Sequence, residues 1–243
     1  MTPGTTPAGV PVGDEAGAAR YVRQMFSRVA PRYDLLNHLL SFQVDRYWRS
    51  FTIDKIRDAA GRPGARVLDL CCGTGDLLAA VGRVHAGPLF GADFCRPMLT
   101  TAAAKLGRRS RLIEADALAL PLPAESFDLL TIAFGLRNLA NYRKGLEEMY
   151  RLLRPGGRLA VLEFSQPRGR LLGAVYGFYF RHLLPRLGGA ISGAGSAYRY
   201  LQQSVDKFLS PDELAAAMKT VGFHEVRHWA LTGGIAVLHV AVK

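Results

Sequence analysis

Arg66-Val67-Leu68-Asp69-Leu70-Cys71-Cys72-Gly73-Thr74-Gly75-Asp76 decides the fold of this chain. Val67 to Leu70 reads as a buried strand, the two glycines as a sharp turn, and Leu77 to Val81 as the start of a helix. Strand, glycine-rich turn and helix make the nucleotide corner of a doubly wound sheet. Glycine is required because a Cβ would block both the turn and a ligand.

The turn narrows the ligand. A dinucleotide fingerprint wants a third glycine where Leu78 stands. Asp76 at the helix start repels a pyrophosphate, and the Lys-Ser/Thr ending of a phosphate loop is missing. An adenosine ligand without phosphates fits, and S-adenosylmethionine is the obvious one. Asp69 can pair with its amino group, while backbone N–H groups near Gly73, Thr74 and Gly75 can take its carboxylate.

Downstream, strands and helices alternate. Pro88 to Ala92 reads as a strand ending in Asp93-Phe94, about 20 residues past the turn, where an acid can take both ribose hydroxyls. Arg111 to Ala115 is a third strand, followed by Asp116-Ala117, suited to the adenine amino group. Phe127 to Ala133 is a fourth, leading into Phe134-Gly135-Leu136-Arg137-Asn138, and Arg158 to Phe164 a fifth. Each acid alone could be a helix cap; their common register argues for a cofactor site. Ser210-Pro211-Asp212-Glu213 starts a helix, and Phe223 to Ala230 with Ile235 to Val242 reads as a closing antiparallel hairpin.

The flanks differ. Residues 1–19 read as a disordered tail and 20–243 as one domain. Within it, 20–60 is a helical lid, broken near Pro31 and at Leu40-Ser41, and 170–207 is an apolar helical insert. The chain of 243 residues carries a net charge of +11, which favours an anionic surface such as a bilayer or nucleic acid. Cys71, Cys72 and Cys95 form neither a disulfide framework nor a metal-type spacing, so no metal is expected. No run reaches the ~18 apolar residues of a spanning helix, and the start lacks a signal peptide. A cytoplasmic protein is expected, peripheral on the inner face of the cytoplasmic membrane if it meets lipid.

Tyr33-Asp34-x-x-Asn37-x-x-Leu40-Ser41-x-x-x-x-Arg46-x-Trp48 resembles the N-terminal signature of the menaquinone/ubiquinone C-methyltransferases. Arg151-Leu152-Leu153-Arg154-Pro155-Gly156-Gly157-Arg158-Leu159-x-x-Leu162-Glu163-Phe164-Ser165 resembles their second signature. Phe134-Gly135-Leu136-Arg137-Asn138 and Tyr198-x-Tyr200-Leu201-x-x-Ser204 match further blocks. Three positions depart from the pattern: Asp45 stands where the family often has His, Leu36 where Met is usual, and Ala133 where many relatives have Ser. Ala133 can therefore offer a cofactor only backbone and a methyl.

The resemblance implies a class I S-adenosylmethionine-dependent methyltransferase fold, Rossmann-like, with a seven-stranded sheet, an antiparallel last strand and an N-terminal helical lid. It implies methyl transfer to a ring carbon of a prenylated quinol. Demethylmenaquinol is favoured by the Asp45-Arg46-x-Trp48 form, with 2-methoxy-6-polyprenyl-1,4-benzoquinol as the alternative. The ring carbon needs its neighbouring hydroxyl deprotonated. Arg137 can stabilise the resulting phenolate, or else pairs with a nearby acid. Asp34 could accept the proton, beside Tyr33, or cap and tie the lid. Tyr21, Asn37, Asn138, Tyr198 and Tyr200 could line the ring pocket, with core packing as the rival for the tyrosines. His38, His85 and His182 read as surface or packing residues, and Glu163 as a holder of loops.

Expected partners are the quinol and, transiently, a membrane surface reached through Arg170 to Leu187; nucleic acid is not expected, and a homodimer is compatible. An RNA methyltransferase on the same sheet is the rival from another class, mildly supported by charge. No Asn-Pro-Pro-Tyr-type or cysteine-nucleophile block supports it further. A non-catalytic adenosine-binding regulator is opposed by the intact acids and turn.

Overall fold

Val67–Leu70 (β1) is buried at every residue and lies in the interior of the sheet, with a parallel strand on each side. The computed structural model describes residues 14–167, 169, 177 and 195–243. Around β1 lie Leu89–Asp93 (β2), Ser110–Glu114 (β3), Phe127–Ala133 (β4), Leu153–Phe164 (β5), His224–Leu231 (β6) and Ala236–Val242 (β7). The order is β3-β2-β1-β4-β5-β7-β6; β1 to β5 pair in parallel, and β7 runs antiparallel to both β5 and β6. Strands covered on both faces are mostly apolar, and β4 is buried from Phe127 to Ile132 with Asp128 and Thr131 as its two polar positions.

Helices cover both faces. Asp76–Val81 (α4) and Val44–Ala60 (α3) pack on one face of the sheet, where Trp48, Ile56, Val67, Leu78 and Leu238 share a core. Tyr142–Leu152 (α6) and Pro211–Val221 (α8) cover the other with Leu146, Met149 and Met218. Arg96–Leu106 (α5) follows β2. α8 begins as expected, with a reciprocal capping box between Ser210 and Glu213.

The lid is Glu15–Val29 (α1), a short 3-10 turn at Ala30–Arg32, and Tyr33–Leu40 (α2), leading into α3. Its breaks fall at Pro31 and Ser41, as read from sequence. The tail boundary needs correction: helix starts at Glu15, inside the stretch read as disordered. Asp14 caps it by accepting from Gly17 N at 2.7 Å, and Glu15 pairs with Lys144 at 3.0 Å. β5 also starts earlier than Arg158, because the Gly156 N–H and Gly157 carbonyl pair with Lys243. Of the expected insert, Gly195–Lys207 is helical (α7). The apolar run from Arg170 to Leu187, Gly177 excepted, lies outside the described residues, as does His182.

Candidate active site

The turn after β1 is held open by backbone conformation. Cys71, Gly73 and Gly75 all have positive φ, at 50°, 53° and 83°. A Cβ on Gly73 would meet nothing within 4 Å; it would stand in the cleft that opens beside the turn. A Cβ on Gly75 would come within 3.0 Å of Leu106, so this glycine lets α4 approach α5. The cleft is open to solvent, and the space in and before it amounts to about 710 Å³. Gly73, Asp93, Phe94, Asp116, Ala117 and Ala133 all line it.

The acids are fixed differently. Asp93 accepts from Gly73 N at 2.9 Å through Oδ2 and from Cys95 N at 2.8 Å through Oδ1, tying the turn to the end of β2. Asp116 is exposed and accepts from Leu118 N at 2.9 Å through Oδ1. Asp69 lies deeper, 1% exposed, behind the cleft wall. Thr131 donates to its Oδ1 at 2.6 Å, and Oδ2 takes no donor among the described residues. Burial pushes the Asp69 carboxyl up to about 7 and also raises Asp93. These positions fit an adenosyl amino acid: an open cradle at Gly73, an acid at the end of β2, another beyond β3, and a buried acid below the turn.

The lid closes over this cleft. Ala19, Val22 and Phe26 of α1 and Tyr33 of α2 line it. Arg23 Nε donates to the Phe94 carbonyl at 2.6 Å, with its guanidinium 5.7 Å from the Phe94 ring. Burial raises the Tyr33 phenol despite a hydrogen bond with the half-buried Asn37, so the hydroxyl remains a neutral donor. Asp34 has both oxygens engaged: Thr74 Oγ1 donates to Oδ1 at 2.5 Å and Lys105 Nζ to Oδ2 at 2.7 Å.

Arg137 is 7% exposed and stands behind the wall made by Phe134, Gly135 and Asn138. Its Nη1 donates to Glu163 Oε1 at 2.6 Å and to the Phe134 carbonyl at 2.5 Å, and its Nε to Ser204 at 3.3 Å. The pairing with an acid thus exists, and Glu163 holds the loop as expected, accepting also from the Arg137 and Phe164 amides. The Arg137 charge still acts on Tyr33 and Tyr200, where it opposes the rise that burial causes. Asn138 lines the cleft, donating to Phe134 O at 3.0 Å and accepting from the Tyr200 hydroxyl at 3.1 Å. Tyr21 is 39% exposed and packs on buried Tyr200 at 6.0 Å. Tyr198 belongs to α7, and its side chain lies outside the described residues.

Sequence reasoning missed Lys105 and Arg49, whose partners are distant in the chain, and the apolar lining from Phe26, Met98, Leu118 and Leu139. His85 packs as expected, hydrogen-bonded to Ala60 O. His38 does more than pack. With Asp45 and Asp76 it brings ligand atoms within 4.8 Å of one another, and Arg49 and Lys105 supply positive charge to those carboxylates.

A doubly wound sheet ending in antiparallel β7, with this open cradle and these acids, defines a Rossmann-like S-adenosylmethionine-dependent methyltransferase. The model of the ubiE/COQ5 methyltransferase family matches residues 14–243, and the chain belongs to that family. A demethylmenaquinone methyltransferase of Thermus thermophilus is 51% identical over 89% of this chain and 98% of its own length. Another, from Deinococcus radiodurans, is 46% identical over 96% and 97%. A ubiquinone/menaquinone biosynthesis C-methyltransferase of Syntrophotalea carbinolica is 46% identical over 89% and 92%. Solved structures share the fold at low identity. A methyltransferase of Thermotoga maritima, described as a possible histamine N-methyltransferase, has TM-score 0.61 at 20% identity over 90% of this chain and 99% of that one. The cyclase SpnF has TM-score 0.67 at 16% identity over 93% and 96%.

Proposed function

We propose that this chain methylates a ring carbon of demethylmenaquinol in menaquinone biosynthesis. The observation that carries the reading is the lid side of the cleft, where apolar Val22 and Phe26 and the polar groups of Tyr33 and Asn138 join the lining that the cofactor acids also share. That lining suits a flat aromatic ring bearing hydroxyls. The two relatives named demethylmenaquinone methyltransferase support the naphthoquinol. Methylation of a methoxy-benzoquinol is the second reading, supported by relatives whose name joins both quinones.

S-adenosylmethionine, when bound, supplies an electrophilic methyl on its sulfonium. Asp69, Gly73, Thr74, Gly75, Asp93, Phe94, Asp116, Ala117 and Ala133 would hold it. The Tyr33 hydroxyl, kept neutral by burial, donates to a quinol oxygen. Asn138, fixed between Phe134 and Tyr200, orients a second polar group of the ring. Arg137 favours the phenolate through its charge while fixing the Phe134 carbonyl in the wall. Asp34, with both oxygens taken, ties down the lid. Asn37 orients Tyr33, while Tyr200 holds Asn138 and Tyr21 packs on Tyr200.

The substrate tail lives in a bilayer, and the outer face of the lid suits contact with one. Leu35, Leu39, Phe42 and Tyr47 are exposed by 61%, 51%, 74% and 54%. Arg28, Arg32 and Arg46 stand among them on the lid, while Asp34 and Asp45 turn inward. No helix among the described residues is long and apolar enough to cross a membrane. On this reading the enzyme works in the cytoplasm, touching the inner face of the membrane from outside its core. Flotation with anionic vesicles should carry the wild-type chain upward at low salt. Leu35→Asp with Leu39→Asp should leave it at the bottom; unaltered flotation contradicts this face.

Quinone extracts test the reaction. A deletion strain should accumulate a naphthoquinone lacking one ring methyl, and expression of this chain should restore the methylated form. A normal quinone pool in the deletion strain contradicts the proposal.

A further inference from the structure

Beside the cradle lies a chain of charges that joins α2, α3, α4 and α5. Lys105 Nζ donates to Asp34 of α2 at 2.7 Å and to Asp76, the first residue of α4, at 2.5 Å. Asp76 also meets Arg49 Nη2 of α3 at 3.3 Å and His38 Nε2 of α2 at 3.6 Å. Arg49 and the His38 Nδ1 reach Asp45, which also accepts from Ser41 at 2.6 Å. Burial opposes the charge on Lys105, but the two carboxylates outweigh it and its pKa rises.

The two sides of this chain are anchored unequally. α5 is rooted in the core through Met98, Leu99 and Ala102. α2 buries none of its described side chains, and Leu35 and Leu39 point to solvent. Among the described side chains of α2 only Tyr33, at its first position, packs into an apolar cluster, beside Phe26, so the ties that the described residues past it offer are polar. Asp34 provides the direct tie to the cradle, because it also takes the hydroxyl of Thr74, buried within the glycine turn. The next residue back, Tyr33, lines the cleft.

We propose that Lys105 is a positioning residue of the methyl-donor site: by holding Asp34 against Asp76 and Thr74, it fastens the lid to the glycine turn and couples lid closure to filling of the cradle. The inference rests on the reading of that cradle as the S-adenosylmethionine site. Coupling follows from the shared part. A ligand that orders the turn orders Thr74, and with it the acceptor that anchors α2. By reciprocity, loss of the anchor weakens the ligand by the same factor. Two partly exposed ion pairs to one ammonium amount to about tenfold in affinity.

The test compares wild type, Lys105→Met and Lys105→Arg by calorimetry with S-adenosylmethionine and by amide exchange over residues 33–40, with and without it. In wild type, ligand should slow exchange of α2. Lys105→Met should bind about tenfold more weakly, exchange faster in α2 without ligand, and show no further slowing with it. Lys105→Arg should recover most of both. Wild-type affinity and protection in Lys105→Met overturn the proposal. Should Lys105→Met fail to fold, Asp34→Asn cuts the same tie from the exposed helix, and wild-type binding there overturns it equally. If the wild-type chain binds no S-adenosylmethionine, the cradle reading fails, while exchange of α2 in the ligand-free variants still decides the latch.

Discussion

Arg137 Nη1 lies 2.6 Å from Glu163 Oε1, and neither side chain is more than 5% exposed. A buried pair of this kind tolerates the loss of one partner poorly, because the other charge is left uncompensated. Arg137→Lys keeps the charge but loses the fork that reaches Phe134 and Ser204. Glu163→Gln removes the countercharge. Each should lower turnover strongly, with cofactor affinity less affected; Glu163→Gln, which leaves the guanidinium uncompensated, should cost about 3 kcal/mol of stability and Arg137→Lys less. Removing both charges, by Arg137→Met with Glu163→Gln, should cost clearly less than the sum of those two changes made singly. Additive losses in urea unfolding would show that the two residues do not act as a unit.

Gly73 and Gly75 should separate binding from stability. Gly73→Ala places a methyl in the open cradle and strains a φ of 53° by about 1 kcal/mol. Gly75→Ala drives a methyl against Leu106 and Ala102. The first should abolish measurable S-adenosylmethionine binding in a folded protein; the second should chiefly lower Tm. Equal affinity in Gly73→Ala and wild type contradicts the placement of the ligand.

If Asp69 holds the amino group of S-adenosylmethionine as proposed, binding should release protons. Its carboxyl, raised to about 7 by burial, is partly protonated at neutral pH in the free enzyme. Pairing with a cationic amino group requires the carboxylate, so affinity should fall as pH drops below 7, approaching tenfold per unit. Calorimetry at pH near 6.5 in two buffers of different ionisation enthalpy should show a fraction of a proton leaving. Identical heats in both buffers rule out this role for Asp69.

His239 should make the fold sensitive to acid. Burial holds its pKa down to about 4, its Nε2 faces the Pro211 carbonyl at 2.9 Å, and its Nδ1 has no partner. The unfolded chain takes up a proton near pH 6.5, and the folded one resists until about 4. The contribution is complete above pH 6.5 and is lost as pH falls from 6.5 to 4, by up to about 3 kcal/mol. His239→Leu should lose less stability over that window. Parallel pH profiles of the two proteins contradict the assignment.

The fold was legible because its signals are local. Gly73 and Gly75 punctuate a strand and a helix, Asp93 and Asp116 fall at a common register, and Ser210-Pro211-Asp212-Glu213 spells a helix start. The start of α1 was missed because Asp14 and Glu15 sit in an Ala- and Gly-rich stretch, and their value depends on Gly17 and the distant Lys144. Arg137 could be read two ways, since no local pattern pairs it with Glu163, 26 residues on. Lys105 carried no signal at all: an exposed-looking lysine near a helix end gives no hint of Asp34, 71 residues earlier. Residues that punctuate a motif can be read locally; those that bind motifs together across the fold, as Lys105 does, cannot.

The central claim is methyl transfer to a quinol carbon, and one assay reaches it directly. The purified chain is incubated with methyl-labelled S-adenosylmethionine and demethylmenaquinol under reducing conditions, with bulk RNA in a parallel reaction. Label is expected on the naphthoquinol ring carbon, recovered as menaquinone, and none on RNA. Label on RNA, or an unlabelled quinol from enzyme that demonstrably binds S-adenosylmethionine, would contradict it.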